Sequence, residues 1–211
     1  MENIWIWYGI AVVLGYLLGC SNMAYYLSKA RGIDLTKEGT GNLGTSNALI
    51  ILGKKAALLV LTHDILKGVI AILLMKLMMQ AMGFGGAAVA VAICAGGFAI
   101  LGHMFPAFIK GSGKGFATYI GCALAIDFKW ALLMVVLLLL AVLVTDYIVA
   151  GTFVTIGTVP IFLFVKGFLI AGALYTVISL IILYKHRTNI KHILEGTERT
   201  VKASLFKKKE N

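Results

Sequence analysis

Charge is what this chain has least of. Only 13% of its 211 residues are charged and 60% are hydrophobic, with a mean hydropathy of +0.95. A soluble domain of this length carries roughly a quarter charged residues and about half apolar ones. A buried core alone does not account for that difference, so the composition points to a polytopic membrane protein. Acidic residues are scarcer still, nine against 19 Lys and Arg, for a net charge of +10. Cysteine is limited to Cys20, Cys94 and Cys122, in or beside apolar runs and without disulfide or metal spacing. They read as small packing residues. The four histidines lack ligand spacing too, so neither a metal nor a cofactor is expected. No basic residue precedes Lys29, so a cleavable secretory signal is not evident and the first apolar run is expected to stay as a span. There is no repeat and no low-complexity segment.

What is present is a series of apolar runs, near residues 4–27, 56–79, 86–108, 116–126, 130–146, 148–165 and 167–184. The expected fold is therefore all-α, a single integral membrane domain over 1–211 with about seven transmembrane helices. The fourth run has 11 residues. At 1.5 Å per residue it reaches roughly 16 Å, about half of the ~30 Å hydrocarbon core, so it is expected as a half-helix. The basic residues are concentrated: Lys29, Arg31, Lys37, Lys54 and Lys55 flank one loop, Lys110 and Lys114 another. Lys185, Arg187, Lys191, Arg199, Lys202 and Lys207 to Lys209 fill a tail over about 185–211. With seven spans, the three basic segments share the cytoplasmic face, the N-terminus lies outside and the C-terminus inside. The other face carries Glu2, Gln80, Asp127, Lys129 and Lys166, nearly balanced in charge. The basic segments suit anionic lipid. They lack the interleaved aromatics of a nucleic-acid surface, so no nucleic-acid partner is expected.

Three segments on the expected cytoplasmic face could carry chemistry. Asp34 to Asn47 has glycines at 39, 41 and 44 among Thr40, Asn42, Thr45, Ser46 and Asn47. Glycine permits positive φ and close approach of a ligand, and neutral polar groups orient an alcohol or phosphate without an unpaired buried charge. The plainer reading is a polar loop that caps the next helix through Ser46 or Asn47. In the second segment, Gly102-His103 through Pro106 is followed by Gly111-Ser112-Gly113-Lys114-Gly115, at the start of the half-helix. An ammonium, a positive dipole end and free amides then meet in one place, suited to a phosphate or acyl-phosphate head whose tail stays in lipid. It is not a nucleotide P-loop, because Gly113-Lys114 is followed by Gly115 rather than Ser or Thr. His103 reads either as a base or as a structural group at a span end. In the third segment, His186 and Asn189 are three residues apart and share a face of a continuing helix, ahead of Glu198. The alternative there is a juxtamembrane basic strip bound to lipid head groups. Inside the second span, Asp64 and Lys67 lie one turn apart and are expected to pair in support of the site.

In this order, the segments resemble the acyl-phosphate-dependent glycerol-3-phosphate acyltransferase family of bacterial membranes, PlsY. The first motif is similar to Gly39-Thr40-Gly41-Asn42-Leu43-Gly44-Thr45-Ser46-Asn47, continuing through Leu52-Gly53-Lys54 to Asp64-Ile65-Leu66-Lys67-Gly68. The second is similar to Gly102-His103 through Pro106 with Gly113-Lys114-Gly115-Phe116-Ala117-Thr118, and the third to His186-Arg187-Thr188-Asn189-Ile190 with Gly196-Thr197-Glu198. The resemblance implies a seven-span enzyme of the bacterial plasma membrane that moves a fatty acyl group from acyl phosphate to the 1-hydroxyl of glycerol 3-phosphate. The product would be lysophosphatidic acid, for phospholipid synthesis, and a functional link to an acyl-phosphate-producing enzyme is implied. Thr40, Asn42, Lys114, His186 and Asn189 take the catalytic positions. Gly41, Ser46, Asn47, His103, Gly113, Gly115, Thr118 and Arg187 take binding positions, supported by Asp64, Lys67 and Glu198.

The chain departs from that pattern at named places. Thr40 stands where the family usually has serine, and Ile50 where it usually has arginine. The glycine turn is one residue shorter, and a serine usual after the fifth span has no match near Tyr147. Loss of a bidentate phosphate grip implies that the acceptor's phosphate is either held by Lys54, Lys55 or Arg187, or absent. Two other readings suit the same residues: a small transporter for an anionic solute or lipid, since a half-helix N-terminus also serves anion transport, or a catalytically altered relative acting on another acceptor.

Overall fold

In the computed structural model, residues 3–206 are described; Met1, Glu2 and residues 207–211, with the expected basic run Lys207 to Lys209, lie outside the described residues. Every regular element among the described residues is an α-helix. All seven expected apolar stretches form helices. The first is broken in two, α1 (Ile4–Cys20) and α2 (Met23–Ala30). The break falls at Ser21-Asn22, where both residues are extended and the Asn22 side chain accepts from the Tyr25 amide at 2.9 Å, capping the new helix. After the first polar loop comes α3 (Thr45–Ile51), a short helix inside a segment expected as loop. The second stretch is α4 (Lys54–Ala81), two residues longer at each end than its apolar run, and the third is α5 (Ala87–Met104). α5 stops short of the expected 108 because Phe105, ahead of Pro106, has left helical geometry.

The half-helix α6 (Phe116–Ile126) has the predicted bounds. Asp127 ends it and, by accepting from the Trp130 amide at 2.8 Å, starts α7 (Phe128–Thr145). The sixth stretch divides into α8 (Ile148–Thr155) and α9 (Thr158–Val165). α10 (Leu169–Lys185) meets α11 (Arg187–Leu194) at a 45° bend, and α12 (Val201–Phe206) follows. Five of these segments are long and apolar enough to cross a membrane, and the bent α10–α11 pair is a sixth when taken as one span. α6 is shorter than a full span.

Close backbone contact holds the centre of the bundle. Gly15 and Gly19, four apart on α1, face the carbonyls of Ala95 and Ala99 on α5, and Gly102 of α5 faces the carbonyl of Tyr16. The same device joins α4 to α6, where Gly68 faces the Thr118 carbonyl and Gly121 the Ile65 carbonyl. In lipid, where burying a side chain adds little, small residues that let backbones approach supply the packing energy. α5 is the most enclosed long helix, while α7 presents Leu132, Leu133, Leu139, Leu140, Leu143 and Val144 outward.

The helix breaks leave main-chain carbonyls that lipid cannot satisfy. A side chain from a distant element reaches each of several. Lys67 Nζ donates to Ser21 O at 2.8 Å, Tyr16 Oη to Phe105 O at 2.7 Å and Lys185 Nζ to Met104 O at 2.8 Å. At the α8–α9 break, Ile156 O accepts from Tyr119 Oη at 2.5 Å and Ser179 Oγ at 2.8 Å.

A Cβ added at Gly15 would meet the backbone of Ala95, whereas Gly9 on the same helix has open space around it. Gly15→Leu is expected to destabilise the detergent-solubilised protein by about 1–3 kcal/mol, the usual range for overpacking. Gly9→Ala is expected to leave stability unchanged or raise it by up to about 1 kcal/mol, since alanine is favoured over glycine inside a helix. Thermal unfolding of the two variants side by side checks this.

Candidate active site

The first polar loop is built around Asn47. Its side chain is fully buried, and Nδ2 lies 3.0 Å from each of the carbonyl oxygens of Leu35, Glu38 and Asn42, while Oδ1 accepts from the Thr40 amide at 2.8 Å. An amide group has two N–H donors and one acceptor oxygen, so this asparagine is committed to shaping the loop. Gly39 has φ +58° and abuts Asn47 Oδ1, so a side chain there would be both strained and obstructed. The loop so held presents Thr40 in the open and Asn42 half-exposed, joined by an Asn42 Nδ2 to Thr40 Oγ1 bond of 2.8 Å. Asn22 Nδ2 donates to Leu43 O at 3.1 Å from beneath.

The glycine turn docks directly on this loop. The Leu43 amide donates to Ser112 O at 3.0 Å, and a Cβ at Gly111 would meet Thr36 and Leu43. Gly115, at φ +91°, turns the chain into α6, whose first amides have no side-chain cap. Lys114 stands beside that helix start, half-buried. Burial pushes its ammonium below the ordinary lysine value, Lys185 and Arg187 push the same way, and Glu198 acts in the opposite sense.

The third segment closes over the turn. Lys114 Nζ donates to Asn189 Oδ1, and Asn189 Nδ2 donates to Glu198 Oε1 at 2.7 Å. Glu198 Oε2 is also 3.5 Å from His192 Nδ1. Lys114 and Asn189 are 75 residues apart in sequence, and their contact ties the second segment to the third. His186 is buried at the α10–α11 bend. Its Nδ1 lies 2.8 Å from Ile182 O, a pure acceptor, so Nδ1 carries the proton and Nε2 keeps a lone pair in the neutral ring. Arg187 lies over the Tyr184 ring at 4.2 Å and donates to Tyr184 O at 3.2 Å.

Under the glycine turn lies a buried polar cluster. Asp64 Oδ1 is 2.9 Å from Lys67 Nζ, 3.4 Å from His103 Nδ1 and 3.5 Å from His63 Nδ1. Lys67 Nζ also lies 2.6 Å from His103 Nδ1, and Ser21 Oγ is 2.9 Å from His63 Nε2. An ammonium only donates, so His103 Nδ1 accepts and its proton sits on Nε2, the atom that a Cβ at Gly113 would strike. The expected Asp64–Lys67 pair is thus present, and the imidazole of His103 is the floor on which Gly113 rests.

The structure brings together Thr40, Gly41, Asn42, Gly113, Lys114, Gly115, His186, Arg187, Asn189 and Glu198 at one end of the bundle. It corrects three expectations and, for His103, selects the structural of two readings. Thr118 is fully buried with an unpartnered Oγ1, because α6 turns that face towards α4. Asn47 does not cap a helix or line the opening; it is the hub of its loop. Ser46 is exposed on α3 and caps nothing, since the helix starts at Gly44 without a side-chain cap. His103 lies sealed beneath the turn rather than poised as a base. Sequence reasoning missed Lys185, Ser112, Ser21 and Asn22 as parts of the site. Lys185 read as one more tail cation, and only its place directly before His186 could have singled it out.

Comparison with known proteins agrees along nearly the whole chain. The family described as Glycerol-3-phosphate acyltransferase matches residues 9–196. The glycerol-3-phosphate acyltransferase of Clostridioides difficile is 37% identical over 201 residues, covering 92% of this chain and 95% of that one. That of Rhodopseudomonas palustris is 38% identical over 196 residues, covering 92% and 96%. The fold is similar to a crystal structure of PlsY (YgiH), an integral membrane glycerol 3-phosphate acyltransferase, in its glycerol 3-phosphate form. The TM-score is 0.78 at 33% identity, over 92% of this chain and 94% of that one. The lysophosphatidic acid form of PlsY gives a TM-score of 0.76 at 32% identity, over 95% and 99%.

Removing one partner of a buried ion pair strands the other. Lys67→Met is expected to cost about 3–5 kcal/mol of stability, and the double variant Asp64→Leu/Lys67→Met less than that single one. Denaturant or thermal unfolding of both variants in detergent checks the order.

Proposed function

Given that the chain belongs to the glycerol-3-phosphate acyltransferase family, we propose that it moves a fatty acyl group from acyl phosphate to the 1-hydroxyl of glycerol 3-phosphate. Acyl transfer to glycerol 3-phosphate for phospholipid synthesis, by an integral membrane protein, is the family's activity and this chain's. The donor is the proposed part. The observation that carries it is the contact of Lys114 with Asn189, which ties the glycine turn to the bend that bears His186, a histidine whose Nε2 keeps a lone pair. A mixed carboxylic–phosphoric anhydride is already activated, so such a site has to position and stabilise charge rather than generate a nucleophile by metal or covalent chemistry.

In the reaction, the acceptor oxygen attacks the acyl carbonyl carbon. The new C–O ester bond forms as the C–O bond to phosphate breaks, and the phosphate leaves with the electron pair. Gly113, Lys114, Gly115 and the start of α6 hold that phosphate. Thr40 and Asn42 orient the acceptor, while Asn189, fixed by Glu198, keeps Lys114 in place. The hydroxyl proton passes to the departing phosphate or to His186 Nε2. With Ile50 in the arginine position, the acceptor's phosphate is assigned to Arg187, whose charge lies near enough to depress Lys114. The site faces the cytoplasm and the N-terminus the outside of a bacterial plasma membrane, a reading supported by Lys29, Arg31, Lys54, Lys55 and Lys110 at the same end. A functional link to an acyl-phosphate-producing enzyme follows from the donor.

Mass-spectrometric assay of purified protein with palmitoyl phosphate, palmitoyl-CoA and a panel of acceptors tests the reading. Product from palmitoyl phosphate and glycerol 3-phosphate alone is expected; product from palmitoyl-CoA alone refutes the donor. Lys114→Ala is expected to lower kcat/KM by about 100-fold or more with unfolding temperature unchanged, as for loss of a charge that stabilises the leaving group. Arg187→Met is expected to raise the KM for glycerol 3-phosphate about tenfold and leave that for the donor alone. Because the Lys114 ammonium is depressed by burial, donor KM is expected to rise with pH from below the ordinary lysine value of about 10.4, and initial rates across alkaline pH show the onset.

A further inference from the structure

One cation beside the turn has no part in the scheme above. Lys185, the last residue of α10 and half-buried, reaches across to the opposite wall. Its Nζ lies 2.8 Å from Met104 O, 2.9 Å from Ser112 Oγ and 3.5 Å from Gly113 O, and 4.7 Å from the centre of the Phe105 ring. An ammonium has three donors and no acceptor, and these three oxygens use them all. Lys185 is therefore spent on the protein itself.

The effect on the turn follows from peptide geometry. In a planar trans peptide the carbonyl and the amide N–H point in opposite directions. Ser112 O is turned to the Leu43 amide, so the Gly113 N–H points the other way. Gly113 O is turned towards Lys185, so the Lys114 N–H is reversed likewise. Among the described residues neither of these two amides has a hydrogen-bond partner. Without Lys185, the Gly113 peptide is free to flip, and a carbonyl facing a phosphate repels it. His103 lies beneath the turn, against Gly113.

We propose that Lys185, acting through Ser112 and the Gly113 carbonyl, is a positioning residue that sets the turn with two consecutive amides facing the donor's phosphate. It touches no substrate; it selects the loop conformation that does. This inference rests on the reading that the turn at 111–115 receives a phosphate, and the two can fail separately. Ser112 supplies the hydroxyl that completes the clamp, a use for a side chain that would otherwise only stiffen a glycine turn.

The test uses the full-length protein in detergent, with inorganic phosphate as the binding probe and palmitoyl phosphate as the donor. Lys185→Met is expected to raise the donor KM and weaken phosphate binding about tenfold or more, with kcat and the KM for glycerol 3-phosphate within about twofold. Ser112→Ala is expected to give about a threefold rise in donor KM, and the double variant no more than Lys185→Met alone, because both act through one contact. An unchanged donor KM in Lys185→Met, or an equal rise in both KM values, overturns the clamp. If Lys185→Met does not fold, an unchanged donor KM in Ser112→Ala overturns it. If wild-type protein binds no phosphate, the phosphate turn itself is wrong and the clamp falls with it; if wild type binds and Lys185→Met binds equally, only the clamp fails.

Discussion

Inside hydrocarbon a main-chain carbonyl has no water to bond, and every interruption of a helix there creates such carbonyls. The whole site depends on how this protein meets that constraint. It breaks helices at Ser21, at Phe105 and at Ile156, and at each break a lysine, tyrosine or serine from another helix reaches a freed carbonyl oxygen. The carbonyl at the end of α5 is covered by Lys185, and that at the end of α3 by Arg31, at 2.8 Å from Leu52 O. Those bonds fix where the loops leave the bundle, and so where the glycine turn can lie.

The turn itself is held on three sides by groups that satisfy one another. His103 lies below it and takes a donor from Lys67, which in turn neutralises Asp64. The first loop, shaped by Asn47, meets it through Leu43 and Ser112. The α10–α11 bend meets it through Lys185 and through Asn189 on Lys114. A buried charge cluster is poor value as a source of stability alone. Here it is a rigid support for a site that acts by placement, since an activated acyl donor asks for little more.

Much of this could be read in order along the chain. The apolar runs marked seven helical stretches, and the bounds of α6 were legible because Gly115 and Asp127 are a turn glycine and an N-capping residue on either side of an unbroken apolar run. The clustering of Thr40, Asn42, Lys114, His186 and Asn189 could be expected from glycine-studded polar strings between spans. The errors have one cause. Asn47, Thr118 and His103 are chemically able to bind a phosphate, and type and spacing do not reveal which way a side chain faces. Asn47 turned inward because three carbonyls of a tight loop needed a donor, and Thr118 because α6 packs that face on α4.

The division between the two levels follows the range of the forces. Hydropathy, helix propensity, capping and glycine turns act within a few residues, so the amino-acid order alone determined the membrane habit, the helices and the three chemical segments. The partners that fix the site lie far apart: Tyr16 and Phe105 by 89 residues, Lys185 and Met104 by 81, Lys114 and Asn189 by 75. Only packing of α1 on α5 and closure of α10 over the turn could decide those pairings, because a hydrogen bond of this kind depends on where two backbones are brought together in space.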